Sequence, residues 1–234
     1  MFENPANPSN VFACLRTLDS FGIQSATILT PNADDAKHRE TWGKLSHLSQ
    51  NNNMAKPHSK TVLNSMRVAA GSARWLDVDF CDKQVAACVG AFKRDGWRIL
   101  VSAVDGKARD VREVDWPGKV GEEEGGSNKV CIVMGNEDQG VSPEMLALAD
   151  ETFYLPMVGF AESYNLSVAT SLTCGYMSSE GVLVPSCKKG GKYKKLVQPR
   201  EEEVMLKWMM ASLTKHDMAE KIFRKNGLTI LDEP

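Results

Sequence analysis

Three stretches of this 234-residue chain place polar residues where chemistry could occur. The first is Gly135-Asn136-Glu137-Asp138-Gln139-Gly140, directly after the apolar run KVCIVM. It has the Gly-x-x-x-x-Gly spacing of a phosphate loop, but Val141-Ser142 stands where Lys-Ser/Thr would be needed, and its two acids would repel a phosphate. No Gly-x-Gly-x-x-Gly follows the first predicted strand, so ATPase and dehydrogenase chemistry are both disfavoured. Glycines at both ends still let the backbone approach a neutral or cationic ligand, or simply make a tight turn into a helix at Ser142. The second stretch is Glu162-Ser163-Tyr164-Asn165, after the strand-like TFYLP. Ser163 and Asn165 can cap a helix or line a site. Arg16, in the third stretch, can pair with Asp19 one turn along a helix or grip an anion.

These residues need elements to position them, and strand-like and helix-like segments alternate, as expected of an α/β domain with a mostly parallel sheet and helices on both faces. A helix carrying Val11, Leu15 and Leu18 is predicted from Asn10 as its cap to Gly22. Strands are predicted in SATIL (25–29), ARWLDVDF (73–80), WRILVSAV (97–104), KVCIVMG (129–135) and TFYLP (152–156). Asp82–Asp95 has helical spacing, Ser142-Pro143-Glu144 starts a helix, and another follows Asn165. Residues 31–60 and 105–128 read as loop, the latter as a solvated connection. The expected domain spans 1–180, and 181–234 holds a basic linker followed by helices near 201–213 and 215–226.

With 42% hydrophobic residues the chain can bury a core, and a net charge of −2 does not mark a general nucleic-acid binder. That mean hides a patch: Lys188, Lys189, Lys192, Lys194, Lys195 and Arg200 occur without an acid between them, before Glu201-Glu202-Glu203. The patch could hold RNA phosphates or be a solvated linker. The six cysteines form no Cys-x-x-Cys and pair with no histidine at metal-ligand spacing, so no metal is expected. No apolar run approaches a membrane span, and no signal-like segment opens the chain. The expectation is an intracellular protein, cytoplasmic and away from membranes, in which the sequon Asn165-Leu166-Ser167 is coincidental.

Taken together, NPSNVFACLRTLDSFGI (7–23), CIVMGNEDQGVSPEMLALAD (131–150) and LPMVGFAESYNLSVATSL (155–172) resemble the three motifs of the SPOUT RNA 2′-O-ribose methyltransferases of TrmH (SpoU) type. The likeness covers roughly residues 4–180. It implies an α/β fold with a C-terminal trefoil knot, a two-fold homodimer and S-adenosyl-L-methionine as cofactor. It also implies transfer of a methyl group to a ribose hydroxyl of RNA, with guanosine 18 of tRNA the expected target. The same reaction on ribosomal or another RNA, or a catalytically silent RNA-binding or assembly module, are the alternatives. Carried over by position, Arg16, Asn10, Glu137, Ser163 and Asn165 would be catalytic. Ser102, Met134, Gly135, Asn136, Leu155, Met157 and Tyr164 would hold the cofactor, Tyr164 standing where Leu is more usual. Tail elements ahead of the first motif help tRNA binding in such enzymes, and here Asn10 is only ten residues in. The expectation is a piece of a longer protein or a different grip on RNA.

Overall fold

The computed structural model describes residues 1–30, 76–116 and 129–183, and the backbone of 188–189 and 192–193. The chain divides into two compact units, Met1–Pro185 and Ser186–Pro234. In the second, Lys188–Lys189 and Lys192–Tyr193 pair as short antiparallel strands, where a linker was expected. The helices anticipated near 201–213 and 215–226, and the loop at 31–60, lie outside the described residues.

The first unit runs β1 (Phe2–Glu3), α1 (Pro8–Ser20), β2 (Ser25–Leu29), β3 (Asp77–Cys81), α2 (Val85–Arg94), β4 (Arg98–Ser102) and β5 (Arg109–Asp110). A 3-10 turn (Val111–Glu113), β6 (Val130–Val133), α3 (Pro143–Leu148), β7 (Glu151–Tyr154) and α4 (Leu166–Ser179) follow. Every strand pair in this unit is parallel: β1-β2-β3 in one sheet and β5-β7-β4-β6 in the other. A parallel bridge between Phe2 and Met134 joins the two sheets, with Glu3 N–H donating to Met134 O at 2.8 Å.

Side chains of β4 alternate between two cores, as a period of two demands. Leu100 enters one with Val11, Leu15, Leu166 and Cys174 of α1 and α4. Ile99 and Val101 enter the other with Val85, Val89 and Met145 of α2 and α3. Helices therefore cover both faces, as expected. β4 lies between β6 and β7, so the chain crosses over it on the way from β6 to β7. Loops leaving the carboxyl ends of these three strands are thus neighbours, the arrangement in which open parallel sheets bind ligands.

The structure corrects the reading of 105–128 as a solvated connection. Up to residue 116 this segment is part of the core: Val111, Val114 and Trp116 are buried, and Trp116 meets Phe153 edge-on with ring centroids 5.7 Å apart. The short β5 and the 3-10 turn anchor it, and elements of two or three residues leave no periodicity to read. The helix expected from Asp82 begins at Val85, capped at Gln84 without a side-chain bond.

Leu100 is fully buried on the central strand. Leu100→Ala should lower unfolding free energy by about 2–5 kcal/mol, read as a lower urea midpoint at unchanged slope.

Candidate functional site

The first turn of α1 is where prediction and structure part in an informative way. Asn7, not Asn10, caps the helix, accepting Ser9 N–H at 2.9 Å. Pro8 explains it: proline holds the residue before it extended and is itself preorganised for the first helical position. The pair Asn7-Pro8 carries the same signal as Ser142-Pro143, and could have been read so. Freed from capping, the Asn10 amide turns outward from the helix. Its Nδ2 donates to Glu137 Oε1 at 2.8 Å, and its Oδ1 accepts from Asn165 Nδ2 at 3.2 Å.

Glu137 also accepts Ala6 N–H on Oε2 at 2.8 Å, so both carboxylate oxygens are engaged by the segment that opens the chain. It orders the loop rather than standing solvated. Asn165 does cap α4, accepting Ser167 N–H at 2.9 Å and Ser167 Oγ–H at 2.7 Å. One line of amides thus runs from the start of α4 through α1 to the loop after β6. Below it α1 packs on α4, with Thr170 Oγ1 donating to Cys14 Sγ at 3.4 Å and the Thr17 and Ser171 hydroxyls 3.2 Å apart. Burial pushes the Cys14 thiol up to about 12, leaving almost no thiolate for nucleophilic work near neutrality.

The Gly135–Gly140 loop is closed on itself. Asn136 N–H donates to Gly140 O at 2.8 Å and Gly140 N–H to Asn136 O at 2.9 Å. A Cβ on Gly135 would sit 2.4 Å from the Gly140 carbonyl carbon, so only glycine fits, and Gly140 itself has φ +70°. Asn136 Oδ1 receives Asp138 and Gln139 N–H groups at 2.8 and 2.9 Å, while its Nδ2 donates to Asn4 O at 2.6 Å. Glu3, buried, accepts Ser142 N–H at 2.9 Å and Ser142 Oγ–H at 2.6 Å, and Ser142 Oγ caps α3. Glu3 and Asn4 went unnoticed in the sequence because a two-residue strand has no pattern.

The expected cofactor residues gather around three strand ends. Ser102 closes β4; Met134, Gly135 and Asn136 follow β6; Leu155, Met157 and Tyr164 follow β7. Met134 and Leu155 are buried and apolar, and Ser102 offers a hydroxyl between them in sheet order. From Met157 to Ser163 the backbone groups make no hydrogen bond among the described residues, and 158–163 are exposed. Apolar walls, a hydroxyl and uncommitted backbone groups suit a nucleoside cofactor. Tyr164 reaches back across its loop, donating to Pro156 O at 3.1 Å.

Other expected residues are not gathered in. Arg16 is exposed on α1 and joins none of the ion pairs among the described residues, so the alternative pairing with Asp19 is absent. It has no hydrogen bond to Asn10, Glu137, Ser163 or Asn165 either. Ser163 is exposed and is not the cap of α4. Lys188, Lys189 and Lys192 lie in the short strands of the second unit, and Lys194, Lys195 and Arg200 lie outside the described residues. Among the described residues no cluster of His, Cys, Asp or Glu could hold a metal ion.

Comparison with known proteins adds a family to this geometry. Residues 46–175 match the family model described as the SpoU rRNA Methylase family. A tRNA (guanosine(18)-2′-O)-methyltransferase of Escherichia coli K12 is 29% identical over 170 residues, 73% of this chain; the chain spans 58% of that relative's length. The crystal structure of the Aquifex aeolicus TrmH/SpoU tRNA modifying enzyme superposes with a TM-score of 0.60 at 22% identity, covering 92% of this chain and 88% of its own. The SpoU methyltransferase AviRb of Streptomyces viridochromogenes, solved in complex with AdoMet, gives 0.52 at 20% identity over 75% of this chain and 56% of its own.

Two outcomes test the site's construction. Gly135→Ala should force the 135–140 loop open and destabilise the protein by about 1–3 kcal/mol in urea unfolding. Iodoacetamide at pH 8 should label Cys14 only after unfolding, because burial raises its pKa far above that pH; mass spectrometry reads the site.

Proposed function

Since the chain belongs to the SpoU rRNA methylase family, we propose that it methylates a ribose 2′-hydroxyl of RNA, using S-adenosylmethionine. The observation that carries the reading is the line of side chains Asn165, Asn10 and Glu137, which brings the three sequence motifs to one place beside the cofactor loops. Guanosine 18 of tRNA is the preferred target, on the strength of the relatives' names. Ribosomal RNA is the second reading, favoured by the family's own description.

When bound, the cofactor supplies a methyl group made electrophilic by its sulfonium. The ribose oxygen becomes a nucleophile only as its proton leaves. Arg16, exposed and without an ion-pair partner among the described residues, would grip the phosphate next to that ribose, fixing the oxygen and supporting its deprotonation. Asn10 and Glu137 hold the ribose side of the site in register. Ser163 and Asn165 present polar groups at the start of α4, and the backbone after Leu155 receives the cofactor.

We place the catalytic domain at 1–180 and read 181–234 as an extension, whose Lys188–Arg200 cluster contacts RNA phosphates through a salt-sensitive interaction. The protein works as a homodimer, each site completed by residues of both subunits. Val168 and Leu172, four residues apart on α4, and Phe160 in the loop before that helix are exposed apolar side chains that such an interface would cover. A trefoil knot formed by the segments 130–140 and 152–177 belongs to the same reading, as does a cytoplasmic location; among the described residues no helix is long and apolar enough to cross a membrane.

Mapping of 2′-O-methylation on total RNA incubated with the protein and cofactor should show a new mark, strongest on tRNA. Arg16→Ala should reduce its rate by at least about a hundredfold without loss of cofactor binding in calorimetry. Identical marks from wild type and Arg16→Ala would sink the assigned role.

A further inference from the structure

The mechanism above gives no task to Glu3, a carboxylate only 2% exposed. It joins none of the ion pairs among the described residues. Taking such a charge out of water is costly, so its oxygens must be met by donors. Both are met by one residue: Ser142 N–H donates to Oε2 at 2.9 Å, and Ser142 Oγ–H to Oε1 at 2.6 Å. The main chain of Glu3 works at the other end of the same loop, its N–H donating to Met134 O at 2.8 Å. Glu3 thus bonds both the residue before Gly135 and the second residue after Gly140.

The span between those bonds holds Met134, Gly135 and Asn136, three of the residues expected to hold the cofactor. Asn136 is anchored from the same opening segment, its Nδ2 donating to Asn4 O at 2.6 Å. Asn4 presents that carbonyl from a left-handed backbone, φ 48°, which asparagine adopts more readily than most residues. Stability alone does not call for a charge at Glu3, since apolar partners of the same shape can serve it equally well. A carboxylate does add rigidity, because hydrogen bonds to an ionised acceptor are shorter and stronger than neutral ones. A receiving loop fixed before its ligand arrives loses less free energy to ordering when the ligand binds.

We propose that Glu3 is a positioning residue for the cofactor: through Ser142 its carboxylate sets the 134–142 loop and so determines the affinity for S-adenosylmethionine. The inference rests on the methyltransferase reading, and its test separates the two. Calorimetry with S-adenosylmethionine on the full chain reads Kd, and urea unfolding reads stability. Glu3→Ala should raise Kd by about tenfold or more, and Glu3→Gln, which keeps the shape with neutral bonds, by about threefold. In steady-state methylation the loss should fall on KM for the cofactor, with kcat and the KM for RNA near wild type. Leu18→Ala, a buried position in the last turn of α1 and so at the far end of that helix from Asn10, is the control. It should lower the urea midpoint and leave Kd at the wild-type value. Should Glu3→Ala fail to fold, Ser142→Ala decides, since it removes one of the two bonds to Glu3 and should raise Kd severalfold. Wild-type Kd in the deciding variant, or an equal rise in Leu18→Ala, would overturn the positioning role and leave the methyltransferase reading standing. A wild-type protein that does not bind S-adenosylmethionine would overturn both.

Discussion

A single amide, that of Asn10, holds this site together. It donates a hydrogen bond to Glu137 and accepts one from Asn165, and those residues lie 127 and 155 positions away along the chain. Each partner has a local duty as well. Glu137 binds the backbone at Ala6, and Asn165 caps α4. Were Asn10 needed to cap its own helix it could not do this, and Asn7 with Pro8 relieves it of that task. Helix initiation and site assembly are thus divided between two asparagines three residues apart.

The sheet makes such an economy possible. With β4 between β6 and β7, three loops that are far apart in sequence leave the same edge together. β1, only two residues long, ties the chain's opening segment to that edge through Met134. Glu3 then reaches Ser142, so the segment ahead of α1 grips both ends of the Gly135–Gly140 loop. Buried carboxylates are costly unless hydrogen-bonded, and here Glu3 meets that condition with a backbone and a hydroxyl donor. The loop's shape is fixed twice over, by Gly135 packed against the backbone of Gly140 and by these side-chain anchors.

Much of this was legible beforehand. SATIL coincides with β2, Ser142-Pro143 starts α3, Gly22 takes the positive φ that ends α1, and Asn165 caps α4. These are local events, decided by side chains acting within one turn of their own backbone. The segment 105–116 was misread for the opposite reason. Charged residues such as Arg112 and Glu113 face outward while Val111 and Trp116 enter a core made by residues elsewhere in the chain.

What the sequence determined by itself was the set of elements, the alternation that makes a parallel α/β sheet, and the residue types able to do chemistry. Those follow from periodicity and from capping and turn preferences that operate over a few residues. Only the tertiary structure decided that Glu137 orders rather than repels, and that Asn10 bridges rather than caps. Hydrogen bonds between residues more than a hundred positions apart leave no spacing to read, because they depend on strand order, which no local pattern encodes.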